Sequence, residues 1–298
     1  MNKMDTCAIT IGIITYNEEH NILKFFESLR AQQLIKNFTI AEVIFVDDSN
    51  DETPNLINKI KSENPEYNIR LIHNDQRKGA SQGWNTIFRN AKGSIIVLLD
   101  ADIEIGENCI SKLSNKIIGN VGLCASNTVP RINDTSLYAC ASIFIAYWLR
   151  SIRMHGLSQY TTMGRALALN AHLAKQIEIP EKIIAIDLYL QCKVLEMGDR
   201  VTYDDDAIIY FNPPTTRHDF FSQIVRALRG HRQLKELTRK FDFKASISLI
   251  IKEFMINSIK YPKGSLCLLL CYLELPLSYF REKEQVSHLW EPANSTKN

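Results

Sequence analysis

Residues 95–102, IIVLLDAD, run five apolar side chains into two aspartates one residue apart. Carboxylates at the mouth of a buried strand suit one chemistry well: a hard cation such as Mg²⁺ or Mn²⁺ takes their oxygens and keeps coordination sites for phosphate. The pattern also has a plainer use, because aspartates at strand ends cap turns and helices. A second Asp-x-Asp, Asp204–Asp206, shows that spacing alone does not choose. Company does, since two further polar clusters, TYNEE at 15–19 and DDSNDET at 47–53, also follow apolar runs. Gathered at one sheet edge, Glu18, Asp47, Asp48, Asp100 and Asp102 would repel one another unless a cation sat among them.

The elements that must position these groups are legible in the first hundred residues. AITIGIIT, EVIFVDD, NIRLIH and SIIVLLDAD read as strands, and between them lie NILKFFESL, a segment opening on Thr53 and Pro54, and SQGWNTIFRNA, which read as helices. The second helix is expected to take Thr53 as N-cap and Pro54 at its first position. Strands apolar throughout and alternating with helices predict an α/β fold, with a mostly parallel, Rossmann-like sheet flanked by helices. In such sheets ligands bind beyond the carboxyl ends of the strands, where the acidic clusters fall. No GxGxxG follows the first strand and no GxxxxGK[ST] occurs, so any nucleotide must be held in another way.

Thirty-five Lys and Arg against thirty-three Asp and Glu give a net charge of +2, which offers no field for nucleic acid. Seven cysteines without CxxC spacing, several inside apolar runs, suit reduced, buried thiols in a cytoplasmic protein. MNKMDTCAIT carries no apolar leader, and the longest apolar runs, 137–149 and 266–273, are short of the roughly 20 residues of a spanning helix.

IGIITYNEEHNI, VIFVDDSNDET and NDQRKGASQGWNTIFRNAKGSIIVLLDADIEI, in that order, resemble the nucleotide-sugar-binding half of the family 2 inverting glycosyltransferases of the GT-A fold. The resemblance is close over 7–110 and looser over 160–230. It implies that Thr15, Tyr16 and Glu18 lie against the nucleoside, with Tyr16 stacking, and that Asp48 with Asp47 bonds the base or ribose. Arg77 and Lys78 would approach the diphosphate, although a solvated turn explains them nearly as well. Asp100, with Ala101 beside it, would face the ribose or sugar, and Asp102 would bind a Mn²⁺ or Mg²⁺ ion bridging the phosphates.

The later segment AIDLYLQCKVLEMGDRVTYDDDAIIYFNPPT resembles the acceptor half of the same family. Asp187 matches the general base that an inverting displacement requires, while Ile186 stands where glutamate is usual. The alternative for Asp187 is a helix N-cap. Gly164 and Arg165, in YTTMGRALALN, fall near the expected sugar- or acceptor-binding loop. In SQIVRALRGHRQ, Gln223 and Arg226 match a Gln-x-x-Arg-Trp segment, but Ala227 replaces the tryptophan, which argues against a processive polymer synthase. Arg229 and His231 are weaker candidates. Seven basic against two acidic residues over 215–240 suit a solvated face or an anionic ligand.

The aromatics of 137–149 (Tyr138, Phe144, Tyr147, Trp148) read as core rather than as an acceptor groove. In 241–283 one helix carries Ile247, Ile250, Ile251, Phe254 and Ser258 on one side. A break at Pro262 and Gly264 and a short helix ending near Pro276 are expected next, with Lys260, Lys263, Arg281 and Lys283 flanking. Such a segment suits a membrane interface, a packed hairpin or a homo-oligomer contact.

The expected organisation is a GT-A domain over 1–240, divided into a donor half (1–127) and an acceptor half (128–240), with a helical extension over 241–298. The expected activity is metal-dependent, inverting transfer from a nucleoside-diphosphate sugar, a UDP-sugar first, to a hydroxyl on a glycan or lipid-linked acceptor, in the cytoplasm or at the inner membrane face. A non-catalytic nucleotide-sugar-binding subunit and a sugar-phosphate nucleotidyltransferase are the alternatives. The latter wants a glycine-rich basic loop where TYNEEH is acidic.

Overall fold

Strand β1 (Cys7–Thr15) has Ile9, Ile11 and Ile13 fully buried, and Thr10 between them is equally inaccessible. A strand covered on both faces belongs in the middle of a sheet, and β1 pairs in parallel with β2 (Phe38–Asp47) on one side and β4 (Ile95–Asp100) on the other. The computed structural model describes residues 6–35, 37–159, 161, 164–282 and 293–297. Tyr160, Thr162, Met163 and Lys283 of the segments read above lie outside the described residues, as do the side chains of 277–282, Arg281 among them.

The remaining strands are β3 (Ile69–His73), β5 (Ile103–Ile105), β6 (Val121–Pro130), β7 (Ala166–Asn170) and β8 (Arg200–Phe211). The helices are α1 (Ile22–Arg30), α2 (Thr53–Glu63), α3 (Ala80–Asn90), α4 (Cys109–Asn115), α5 (Leu137–Arg153), α6 (Ala171–Ala174), α7 (Ile186–Glu196), α8 (Arg217–Gln233), α9 (Lys235–Thr238), α10 (Ile247–Lys260) and α11 (Pro262–Glu282). A 3₁₀ turn, Asn294–Thr296, follows.

All eight strands form one sheet in the order β3-β2-β1-β4-β7-β6-β8-β5. The expectation of a mostly parallel sheet holds for β3-β2-β1-β4 and again for the pairing of β6 with β8. β7 runs antiparallel to both β4 and β6, and β5 antiparallel to β8, so the sheet is mixed. The chain reaches β7 only after the long excursion through α5, not through a right-handed crossover of the kind that joins the first four strands. Two apolar layers cover the sheet: Ile9, Phe26, Ile57 and Ile110 on one face, Trp84, Ile87, Leu190 and Val194 on the other.

Helix α2 starts differently from the expectation. Thr53 is its first residue, not its cap; the Thr53 N–H donates to Asp51 Oδ1 at 2.9 Å, and its hydroxyl oxygen accepts the Glu18 N–H at 2.8 Å. The hydroxyl thus fastens the loop after β1 to the start of α2.

The aromatics of α5 do face a core, one built with the last two helices. Phe144 packs edge-on against Phe254, Tyr147 stacks on Tyr261, and the Trp148 indole donates to the Ile250 carbonyl at 3.0 Å. Gly264 is no break: it lies inside α11, where a Cβ would stand 3.0 Å from Phe144 Cβ, so its absence lets α11 close on α5. Nor does α11 end at Pro276. The proline withholds a donor from the Tyr272 carbonyl, and Tyr272 is exposed, so water satisfies what the helix loses. Tyr261 alone separates α10 from α11.

Candidate active site

The carboxyl ends of β1, β2 and β4 open into a cleft of about 890 Å³, closed by α5, α7, α8 and residues 293–297. Of the residues singled out in the sequence, Thr15, Tyr16, Glu18, Asp48, Arg77, Asp100, Ala101, Asp102, Gly164, Arg165, Asp187, Gln223 and Arg226 line it.

Two do not. Asp47 is fully buried, with Oδ1 accepting from the Thr15 and Ser49 hydroxyls at 2.6 and 2.5 Å and Oδ2 lying 2.7 Å from His73 Nδ1. Successive strand residues point to opposite sides, so Asp47 turns inward where Asp48 turns to the cleft. Lys78 keeps its side chain in solvent and contributes only its N–H, which together with that of Gly79 donates to Asp48 Oδ2 at 2.8 and 2.7 Å. Asp48 therefore ties the turn before α3 to the end of β2. Arg77 lies with its guanidinium carbon 3.7 Å from the Tyr16 ring centroid, covering one face of that ring.

At the end of β4, Asp100 and Asp102 flank a tight turn into β5. Arg165 Nη1 lies 3.1 Å from both Asp102 oxygens, and the Asp100 N–H donates to the Arg165 carbonyl at 3.0 Å. The arginine read as an acceptor residue thus sits on the aspartate expected to bind metal, with Phe211 beneath it at 4.5 Å. Burial, then Asp102, push the Asp100 carboxyl well above the usual range, against Arg165 and Arg226. Glu18 is raised to about 7, by burial and then by Asp102, while Lys297 and Asn21 pull it down.

Asp187 lies in the first turn of α7, two residues past the N-cap position, which is held by Ala185. Its Oδ1 accepts the Leu188 N–H at 2.9 Å. Burial raises its pKa, with the Leu188 N–H and the charge of Arg226 opposing. Gly164 is required beside it, because a Cβ there would come within 2.9 Å of Asp187 Cβ. Ile186, in the usual place of glutamate, joins the apolar layer of Trp84 and Leu190. Arg226 is pushed down by burial and by Arg165, with Asp100, Asp187 and Asp102 countering. His231 also lines the cleft, and burial lowers its pKa.

Among the described residues no three His, Cys, Asp or Glu side chains converge as a metal cage. The donors fit a different arrangement. Asp102, with Asp100 nearby, would offer hard carboxylate oxygens to an ion of the Mg²⁺ or Mn²⁺ kind, which when bound would supply positive charge beside an anionic ligand. The contact of a single Arg165 nitrogen leaves further lone pairs on Asp102 open. Burial is the larger cause of the raised Asp100 and Glu18 carboxyls, with the neighbouring Asp102 second.

Several cleft residues were not anticipated. Trp84, on α3, belongs to the apolar layer and also lines the cleft. His218 and Asp219 follow Thr216, whose hydroxyl caps α8 by accepting the Asp219 N–H at 3.2 Å; a Thr-x-x-Asp box marks a helix start, and that signal was available. The lining face of α5, Ser142, Ile145, Ala146 and Leu149, is its non-aromatic side. Lys297 had no signal at all.

A family model for glycosyl transferase family 2 matches residues 10–166. The chain belongs to that family. It is 28% identical over 109 residues to a dolichol-phosphate mannosyltransferase of Pyrococcus furiosus, covering 37% of this chain and 30% of that protein. It is 29% identical over 135 residues to the Escherichia coli UDP-Glc:alpha-D-GlcNAc-diphosphoundecaprenol beta-1,3-glucosyltransferase WfgD, covering 45% and 50%. The chain thus spans half or less of the length of these curated relatives. In fold it is similar to the mannosyltransferase PcManGT of Pyrobaculum calidifontis in complex with GDP-Man and Mn²⁺ (TM-score 0.61, 20% identity, 97% of this chain and 82% of the other). It is also similar to S. aureus TarS 1-349 in complex with UDP-GlcNAc (TM-score 0.54, 15% identity, 93% and 92%). The mixed sheet with helices on both faces is therefore that of a GT-A glycosyltransferase.

One consequence concerns pH. In metal-free protein the folded state retains a proton on Glu18 between the ordinary 4.5 and about 7, which the unfolded chain has given up. The stability from that proton is fully present below about pH 4.5 and is lost as the pH rises to about 7. Thermal unfolding in chelator from pH 5 to 8 should show the melting temperature of the wild type falling relative to that of Glu18→Gln. Parallel curves would mean that Glu18 titrates as an exposed carboxylate does.

Proposed function

We propose that this family 2 glycosyltransferase moves a sugar from a nucleoside-diphosphate donor, a UDP-sugar first, to the hydroxyl of a lipid-linked glycan acceptor with inversion. The observation that carries the reading is the joining, in one cleft, of the acidic end of β4 to Asp187 and Arg226. The first binds a metal–diphosphate; the second pair can take a proton and meet departing negative charge. Asp48, Thr15, Tyr16 and Glu18 border the nucleoside, with Arg77 moving off Tyr16 as the base stacks.

Asp102, and Asp100 once ionised, would hold Mn²⁺ or Mg²⁺. When bound, the ion neutralises the leaving diphosphate. Arg226 and Arg165 add fixed positive charge at the same end. Asp187 accepts the acceptor hydroxyl's proton as the hydroxyl oxygen bonds the anomeric carbon and the bond to the diphosphate breaks. A carboxylate whose pKa burial has lifted is a stronger base than one in water, which suits that step.

The donor prediction is calorimetric. Among UDP, GDP, dTDP and CDP with Mn²⁺, UDP should bind the wild type, and Asp102→Asn should lose that binding. Binding of GDP alone would move the donor to the GDP-sugars, and binding of none would favour the non-catalytic reading. The base prediction is kinetic: Asp187→Asn should keep UDP affinity and lose transfer by roughly 10²–10⁴-fold. Transfer at near-wild-type rate would reassign the base.

The acceptor class follows from α10 and α11. Ile247, Ile251, Met255 and Ile259 recur every four residues along the exposed side of α10, and Leu266, Leu269, Leu270 and Leu273 are exposed on α11. Lys252, Lys260 and Lys263 are the exposed charges on the described part of these helices; Glu253 is buried and Glu274 pairs with Arg217. Cationic rims around an apolar face match an anionic bilayer, each lysine adding about 1 kcal/mol near such a surface. Among the described residues no helix is long and apolar enough to cross a membrane, so the contact would lie along the surface. The seven free cysteines, those of α4, β6 and α7 pushed up to about 12 by burial, suit a reducing compartment on the inner side. The protein should co-float with vesicles containing phosphatidylglycerol and stay behind when Ile251→Glu and Met255→Glu are combined. Wild type that remains soluble beside such vesicles would remove the membrane contact and leave a second copy as the cover.

A further inference from the structure

Residues 293–297 enter the cleft as a strap. The Ser295 N–H donates to Asp219 Oδ2 at 2.9 Å, Ser295 Oγ accepts the Thr215 N–H at 3.2 Å, and Asn212 Nδ2 donates to the Thr296 carbonyl at 3.2 Å. These bonds pin the strap to the end of β8 and the start of α8. They bury Thr296 and deliver Lys297, itself only 9% exposed, to the opposite wall.

There the ammonium meets three acceptors. Lys297 Nζ donates to the Tyr16 carbonyl at 3.2 Å and to the Asn17 carbonyl, and it lies 3.1 Å from Glu18 Oε1. An ammonium has three N–H donors, and here they meet three acceptors, all in the loop after β1. Elsewhere the loop is held by its amides, the Asn17 N–H donating to Ser49 Oγ and the Glu18 N–H to Thr53 Oγ1, both at 2.8 Å, and by the Glu18 carbonyl, which accepts from the Asn21 and Ile22 N–H groups at 2.9 Å; the Tyr16 and Asn17 carbonyls are the ones that Lys297 meets. Asn17 also sits at a φ of 55°, a left-handed conformation that a non-glycine residue keeps only when its surroundings impose it. Two carbonyls turned into a cleft with no donor would be a costly arrangement for a loop required to stay in one shape.

We propose that Lys297 is a positioning residue for the donor site: it fixes the carbonyl side of the Tyr16–Glu18 loop in the form that receives the nucleoside. The role rests on the donor reading of the cleft given above. It differs from a plug, because a lysine with every donor engaged by the loop wall supports the loop and does not stand in for the diphosphate. Removing a charged donor from such a seat costs binding on the order of tenfold.

The test is Lys297→Met in the full chain, with two readouts. Hydrogen exchange at the Asn17 and Glu18 amides should speed up in the variant while β1 and α1 keep their protection. The dissociation constant for UDP with Mn²⁺ should rise about tenfold, with melting temperature little changed. Tighter UDP binding by the variant would make the segment an autoinhibitory plug, and unchanged exchange and affinity would mean that Lys297 does not hold the loop. Either result overturns the proposal. If the wild type binds no nucleoside diphosphate, the donor reading falls, and the exchange measurement still decides whether Lys297 holds the loop.

Discussion

The molecule is organised around acidic charge held out of water. Glu18, Asp100, Asp102 and Asp187 converge on one cleft, and burial lifts three of them above the range of a free carboxylate. Like charges at such spacing in a low dielectric cannot all ionise without counter-charge. The chain supplies that charge from three separated places: Arg165 just before β7, Arg226 from the middle of α8, and Lys297 from the strap. None of these belongs to the β-α-β run that presents the acids. The acidic edge therefore requires the second half of the chain and the strap beyond it. A divalent cation bound at this edge would add positive charge beside those acids and favour their ionised forms.

This constraint explains what was legible in the sequence. Apolar runs ending in acid located β1, β2 and β4 and most of the donor residues, because burial and charge at a strand end both leave a mark in composition. Direction does not. ALALN reads the same whether β7 runs with β4 or against it, and only the path through α5 decides. Nor does an Asp-Asp pair announce which member faces in: Asp47 and Asp48 are chemically identical, and the pleat alone assigns one to Thr15, Ser49 and His73 and the other to the cleft. Arg165 on Asp102 is a contact across 63 residues, beyond any local pattern. Lys297 is further still, attached to the loop after β1 from 280 residues away.

Helix α5 joins the cleft to the C-terminal helices. Its aromatic side, Phe144, Tyr147 and Trp148, is spent on α10 and α11, and its other side, Ser142, Ile145, Ala146 and Leu149, forms a wall of the cleft. One helix, about 10 Å across, therefore separates the cleft from the layer that carries the exposed leucines and isoleucines. An acceptor whose lipid lies under that layer has only this distance to cover. The lysines on the same surface bear on which partner covers it. Pairing two copies through this face would bring Lys252, Lys260 and Lys263 of each toward those of the other, whereas a bilayer of anionic lipid meets them with opposite charge. On the proposed reading the apolar repeat would supply the drive to leave water, and the charge at its border would favour an anionic surface over a second copy.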